Sequence, residues 1–327
     1  MITRKNSRSR VAIAVAACVA AVASTSAHAD ALAQSLLDIT SFKISFTAGE
    51  ITPQGTPTAT VQSSATFNNV AGTPVLAGLQ TVTSVGPNAA LYTAASAMTP
   101  YSGAVLPGNF SGGFAEQLGN ALAPSGADAH SDATVSIVPQ GAPFNGSQGS
   151  NTVGQEFLVN VGGPSKAAVA ITFDADAFLR AYLSSGPFFD FQSGGANAST
   201  TWRLEIFRVI SPTSQPQVAA WNPGGGLFTP GWGCDGVYVS GCSEVAPFQL
   251  NQNIVAFGDN DDLQFDNSGA FSGAFSLLGS TTYRFSINHT SIANANLNLR
   301  AIPEPGSLAL VGLALLAAGV SARRRLG

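Results

Sequence analysis

The stretch TTWRLEIFRVI, residues 200–210, decides the fold of this chain. Trp202, Leu204 and Ile206 alternate with polar or charged residues, and the segment is rich in β-branched and aromatic side chains. A period of two places the apolar side chains on one face of a strand and the polar ones on the other. Residues 200–210 are therefore predicted to form a strand with one face in a core.

Similar patterns lie on both sides of this stretch. The segment Leu37–Phe46 alternates with one slip, which indicates a bulge within a strand. Other runs of β-branched and aromatic residues are bounded by Gly, Pro and Asn, at residues 132–138, 156–161, 167–173, 270–279, 281–290 and 291–302. Many short strands joined by polar turns predict an all-β fold, an antiparallel β-sandwich of jelly-roll-like type over residues 30–300.

The segment DADAFLRAYLSSG, residues 174–186, is the exception to this pattern. Asp174 or Asp176 is suited to cap a helix, and Gly186 with Pro187 would end it. The apolar side chains recur at the spacing of a single helical face, at Phe178, Leu179, Tyr182 and Leu183. One short helix is therefore predicted within the β domain.

Residues 1–29 have the organisation of a secretory signal peptide. The first ten residues carry four basic side chains and no acid, and an uncharged run follows from Val11 to Ala27. This alanine-rich run is weak as a bilayer span, and Ala27-His28-Ala29 supplies the small residues that signal peptidase requires. We expect cleavage there, with an uncleaved N-terminal anchor as the alternative.

The mature chain is acidic. Of the 14 basic residues, four lie in residues 1–29 and three in the last five residues, whereas 17 of the 18 acids lie between Asp30 and Ile302, which leaves a net charge of −10 there. A field of this sign repels nucleic acid and anionic lipid. We therefore expect no nucleic-acid partner, and contact with a membrane only through the C-terminal tail before processing.

Cys234 and Cys242 are the cysteines that remain once Cys18 leaves with the signal peptide. An exported protein resides in an oxidising compartment, where an even pair of nearby cysteines forms a disulfide. A metal site is the alternative, but no histidine or further cysteine lies in this stretch. A Cys234–Cys242 disulfide is predicted.

Residues 301–327 combine a proline-rich block, an apolar run and a basic end. Pro303, Glu304 and Pro305 favour extended backbone that lacks amide donors at two positions. The uncharged stretch that starts at Pro305 would form a helix of about 27 Å, slightly short of a ~30 Å hydrocarbon core, and the arginines that follow would stay cytoplasmic. This order predicts a marginal membrane anchor next to an exposed processing motif.

This tail resembles the PEP-CTERM sorting signal of Gram-negative bacteria, which the membrane transpeptidase-like enzyme exosortase recognises. The resemblance covers Pro303, Glu304 and Pro305, the apolar helix and the basic end. It implies a transient anchor in the inner membrane, cleavage near the Pro-Glu-Pro block and delivery to the cell surface or extracellular matrix. Segments of the body, such as residues 167–185, are also similar to secreted β-sandwich proteins of this group, which implies a fold and no particular activity.

The sequence offers few residues for catalysis. The mature chain holds two histidines, His130 and His289, and no nucleophile elbow, phosphate-binding glycine loop, HExxH or CxxC motif. We therefore predict that the protein is not an enzyme and needs no cofactor. A carboxylate pair for glycoside hydrolysis is the alternative, since sequence does not reveal which acids face each other.

One acidic cluster, GDNDDLQFDNSG at residues 258–269, contains Asp259, Asp261, Asp262 and Asp266. Calcium prefers several carboxylate and carbonyl oxygens on a tight loop, although this spacing does not match an EF-hand. A solvated turn whose side chains bond their own backbone is the alternative. Calcium is therefore the one candidate ion.

Trp221 and Trp232 lie in Gly/Pro-rich stretches, where an indole can stack on a sugar ring. Trp202, on the alternating strand, is expected in the core. We predict an exported surface or matrix protein with a structural or interaction role in the exopolysaccharide or biofilm matrix, processed by signal peptidase and exosortase. The alternative is a polysaccharide-binding module, with or without calcium.

Overall fold

The computed structural model describes residues 30–103, 108–138, 144–184, 191–225, 231–257 and 261–299. The predicted signal peptide at residues 1–29 and the sorting tail at residues 301–327 lie outside these residues, as does Asp259. The described chain is all-β apart from one short 3-10 helix at Ala89–Leu91. Within the described part of the chain, no helix is long and apolar enough to cross a membrane.

Eight strands form the first antiparallel sheet. In spatial order they are β13 (Val239–Val245), β15 (Asp261–Leu277), β9 (Ala167–Leu183), β1 (Ala31–Ala48), β7 (Ala127–Ile137), β6 (Phe110–Gly119), β5 (Gln80–Val85) and β4 (Val75–Leu76). The strand predicted at Leu37–Phe46 lies within β1, and its pairing with β9 shifts register between Thr40 and Lys43. The predicted bulge is therefore confirmed.

The second sheet is also antiparallel. In spatial order it contains β12 (Trp232–Cys234), β11 (Gln217–Trp221), β10 (Phe191–Arg208), β16 (Thr281–Leu299), β8 (Phe144–Val161), β2 (Ile51–Phe67) and β3 (Val70–Ala71), while β14 (Gln252–Ala256) also pairs with β10. Most of the stretch TTWRLEIFRVI lies in β10, which pairs with the long strand β16 along nearly its whole length. The jelly-roll-like connectivity stays a prediction.

Aromatic rings fill the space between the two sheets. Trp202 of β10 stacks on Phe173 of β9 with ring centroids 5.0 Å apart, and both side chains are buried. Phe173 stacks in turn on Phe271 of β15, at 5.1 Å. Because Trp202 belongs to the second sheet and the two phenylalanines to the first, these contacts hold the sheets face to face.

A second apolar cluster fills the other end of the sandwich. It is built mainly from small residues, so the sheets meet there through alanines such as Ala33 and Ala293. Between the two clusters, hydroxyl groups cross the interior: Ser131 and Ser291 are 2.6 Å apart, and Ser35 donates to the carbonyl of Ser199. These bonds satisfy buried polar groups where the sheets approach closely.

The helix predicted over residues 174–186 is wrong, because β9 continues without interruption to Leu183. Alternate residues such as Ala175, Ala177 and Leu179 face the interior, whereas Asp174 and Asp176 are exposed. β9 pairs with β1 on one side and β15 on the other along this whole segment. Two ladders of backbone hydrogen bonds outweigh a weak local helical spacing.

Replacing Trp202 with alanine should remove the contact that joins the sheets. A buried tryptophan truncated to alanine costs about 3–5 kcal/mol in the free energy of unfolding. Urea denaturation of the purified protein measures this loss. Phe257→Ala is the control, since Phe257 is 71% exposed and a surface change of this kind stays within about 0.5 kcal/mol. Equal losses in the two variants would contradict the packing described.

Candidate functional site

Three of the aspartates in the predicted calcium set, Asp261, Asp262 and Asp266, lie on a strand, since β15 begins at Asp261, whereas Asp259 lies outside the described residues. Asp262 forms two hydrogen bonds of 2.9 Å with the buried guanidinium of Arg180, which hold the pKa of this carboxyl below its usual range. Asp261 accepts the backbone N–H of Phe257 at 3.0 Å. Among the residues that the structure describes, no group of three or more His, Cys, Asp or Glu side chains is placed to hold a metal ion.

These aspartates occupy an open edge of the first sheet. β13 pairs with β15 only from Ser272 onward, so Asp261–Phe271 pairs with β9 alone among the described strands. Charged side chains on such an edge discourage pairing with another chain. The acidic cluster therefore has a structural role in this fold, and calcium binding stays a prediction.

Trp221 is part of the core, contrary to the predicted sugar-stacking role. It is fully buried at the end of β11, and its indole N–H donates to Glu244 at 2.5 Å. Trp232 lies parallel to it with centroids 5.0 Å apart, and Trp232 also contacts the ring of Phe275 at 5.1 Å. Because β11 pairs with β10, Trp221 occupies an inward strand position, and only Trp232 keeps partial exposure.

The predicted disulfide between Cys234 and Cys242 is present. Cys234 ends β12 of the second sheet, and Cys242 lies in β13 of the first, so the bond ties the two sheets together. Between them, the Asp235 carboxylate accepts the backbone N–H groups of residues 237, 238 and 239 at 2.9–3.0 Å. The connection is thus closed covalently and ordered by an acidic side chain.

A row of ionisable side chains crosses the outer face of the first sheet. The strand register aligns Glu116, His130, Asp38 and Asp176 on neighbouring strands. The His130 Nδ1 lies 2.7 Å from the Asp38 carboxylate, and this hydrogen bond raises the pKa of the imidazole. Partial desolvation, together with the nearby carboxylates of Asp266 and Asp38, raises the pKa of Asp176, although its side chain is largely exposed. This face therefore concentrates negative charge.

Asp132, which the sequence did not single out, is a buried carboxyl on the same face. The segment at residues 86–103, here called the strap, covers it, and the Met98 N–H of the strap donates to the Asp132 carboxylate at 2.9 Å. The hydroxyl of Thr134, which lies on β7 like Asp132, donates to the same carboxylate at 2.8 Å. Gln34 and Arg180 hold the strap further along through the backbone of Thr99 and Tyr101. Burial raises the pKa of Asp132 to about 7.

His289 faces the interior of the sandwich. Its side chain is buried, and burial lowers its pKa to about 3, so the imidazole is neutral at physiological pH. With Gln117 and Trp202 it lines a small cavity of about 20 Å³. This histidine is therefore a core residue.

A groove that the sequence analysis did not predict lies beside β2. It has a volume of about 380 Å³ and is lined by Val61, Gln62, Ser63, Ser64, Pro74, Leu76, Thr81, Ser150 and Thr152. None of these residues is charged. The signal was present in the sequence, because residues 51–115 contain no Asp, Glu, Lys, Arg or His.

The family model of the PEP-CTERM protein-sorting motif matches residues 301–325. The chain therefore carries a PEP-CTERM sorting motif, and this motif indicates a secreted protein that is targeted to the cell surface. The chain matches no curated protein and no solved structure.

Asp132→Asn should change how stability depends on pH. The native carboxyl titrates near pH 7, whereas an unfolded aspartate titrates near about 3.9. Between these values the native state holds the proton more tightly, so the free energy of unfolding falls as pH rises, by at most about 4 kcal/mol. Asparagine cannot ionise, so this fall should be absent from the variant.

Urea denaturation of both proteins between pH 4 and pH 8 measures the difference. The difference in the free energy of unfolding between the two proteins at each pH removes the contribution of the other titrating groups. One of these is His130, whose raised pKa gives a pH dependence of the same sign. Parallel profiles for the two proteins would mean that Asp132 does not titrate in this range.

Proposed function

We propose that this protein is an exported, non-catalytic component of the surface or extracellular matrix of a Gram-negative bacterium. An exosortase processes its tail, and the β-sandwich then has a structural or interaction role in the exopolysaccharide or biofilm matrix. The observation that carries the proposal is the PEP-CTERM motif at residues 301–325. Cleavage by signal peptidase after residue 29 is part of the same proposal.

The position of the chain ends in the fold supports a tethered display. β1 begins at Ala31 and pairs there with Leu183, while Leu297 near the end of β16 belongs to the same apolar cluster as both. Three residues lie between Leu299 and Pro303, so the distance between these two Cα atoms is at most about 14 Å. The leader and the tail therefore join the same end of the sandwich, and the disulfide end lies away from the attachment point.

The chemistry of the body also fits export. The Cys234–Cys242 bond ties the two sheets together and persists in an oxidising compartment. The acidic row on the outer face of the first sheet keeps the mature protein soluble and repels nucleic acid and anionic lipid. Neither property depends on an active site.

Replacing Pro303, Glu304 and Pro305 together with alanine should block processing. Without the rigid extended block the enzyme loses its recognition element, while the apolar run still enters the membrane. In cell fractions from the native host, we expect most wild-type protein at the surface or in the medium and most variant protein in the inner membrane. Ser307→Ala, a change in the same tail outside the motif, is the control. A triple variant that reaches the surface as efficiently as wild type would refute exosortase sorting.

The alternative function, polysaccharide binding, rests on Trp232, which is a partly exposed residue at the start of β12. If Trp232 stacks on a sugar ring, Trp232→Ala should lower retention on beads of the host exopolysaccharide several-fold, because the contact between the indole and the sugar is lost. Trp232→Phe, which keeps a ring, should retain binding. Equal retention of wild type and Trp232→Ala would remove this residue from the candidate site.

A further inference from the structure

β2 is an open edge of the second sheet. It pairs with β8 from Ile51 to Thr66, but on its other side only Thr66 and Phe67 pair with β3. Among the described residues, no strand pairs with Thr58–Ser64 on that side, although the Ser63 carbonyl accepts a hydrogen bond of 3.1 Å from the Thr83 hydroxyl of β5. In an antiparallel sheet, every second residue of such an edge directs its N–H and C=O outward.

The two halves of this edge differ in how they are protected. The first half contains Pro53 and Pro57, and its register with β8 shifts between Gln54 and Thr58. Proline and a bulge both prevent a further strand from pairing. The second half, TATVQSS at residues 58–64, has neither device and no charge.

The open edge of β15 in the same molecule is protected differently. Asp261–Phe271 carries three aspartates, whereas no Asp, Glu, Lys, Arg or His occurs in residues 51–115. In a chain with so many acids, the lack of charge at β2 means that two copies of this edge meet without like-charge repulsion between their strands.

Exposed apolar side chains lie next to this edge. Val70, Val75 and Leu76, in β3 and β4, are 61%, 68% and 70% exposed. Leu76 also lines the groove of about 380 Å³ beside Val61 and Gln62. A second strand at β2 would cover this apolar surface, which adds a hydrophobic contribution to the backbone hydrogen bonds.

We propose that two copies of this protein associate through β2, with Thr58–Ser64 of one copy antiparallel to the same segment of the other. A two-fold axis near Val61 joins the two second sheets into one continuous sheet, and the same surface serves both copies. The acidic row is on the outer face of the first sheet, away from this contact. The inference rests on the proposed structural role and supplies its mechanism, which is self-association of the displayed sandwiches.

Sedimentation of the processed protein, purified from its host, tests the proposal. Wild type should form dimers as its concentration rises, and more readily at higher salt, because salt screens the net negative charge of the two bodies. With the axis near Val61, Gln62→Lys places two like charges diagonally across the pair, about 7–8 Å apart on the same face, and should weaken the dimer several-fold. Thr172→Lys is the matched control, since Thr172 is exposed on β9, a strand with neighbours on both sides.

Chemical cross-linking checks the geometry independently. Gln62→Cys treated with a short bifunctional maleimide should yield covalent dimers joined at residue 62, identified by peptide mass, whereas Thr172→Cys should not. Thermal melts of all four variants should match wild type, because both side chains are exposed and neither change removes a core contact.

Three outcomes overturn the proposal. The proposal is refuted if the wild-type protein stays monomeric at all concentrations. It is also refuted if the Gln62→Lys protein dimerises like wild type, or if the monomer binds neutral polysaccharide through Gln62. The last would instead assign the groove to a carbohydrate. A correctly processed, surface-displayed monomer refutes the self-association alone, whereas a chain that is never processed refutes the proposed function.

Discussion

The contact between Trp202 and Phe173 is the interaction on which the rest of the structure depends, because it joins one sheet to the other. Both residues are at inward positions of long strands, and each touches further aromatic rings in its own sheet or the opposite one. Once the inner faces meet, the outer faces must remain in water. The alternation of apolar and polar residues along β9 and β10 follows from that constraint.

The sequence was most informative where one face of a strand is polar. The strand in TTWRLEIFRVI could be predicted because Arg203 and Glu205 lie between apolar neighbours. The slip in Leu37–Phe46 corresponds to a register shift between β1 and β9. It was misleading where alanine fills the inward positions. Ala175 and Ala177 make the period of two in β9 hard to detect, so the bulkier residues around them suggested a helix.

The candidate site was harder to predict, since its features arise from strand pairing. The sequence around Asp262 is typical of a loop, but in the structure this segment pairs with β9, and Asp262 forms an ion pair with Arg180. Trp221 reads as a loop residue, yet pairing of β11 with β10 buries it. The open edge at β2 depends on strand order, which a single sequence does not specify, although the absence of charge over residues 51–115 marked the region.

Charged side chains are unevenly distributed over the surfaces of the sandwich. One open edge carries aspartates, the outer face of the first sheet carries the acidic row, and the edge at β2 carries neither. Leu297, near the end of β16, belongs to the same apolar cluster as Ala31, at the beginning of β1. Under the proposed function, a sandwich displayed in this way, with an uncharged edge along its side, would be suited to assemble with its neighbours in a matrix.

The central claim is that this sandwich is displayed outside the cell after its tail is processed, and the C-terminal peptide mass of the native protein tests it most directly. Protein from the surface and medium of the host should end between Pro303 and Gly306, with or without an attached group. A chain that runs to Gly327 in both fractions would contradict the account.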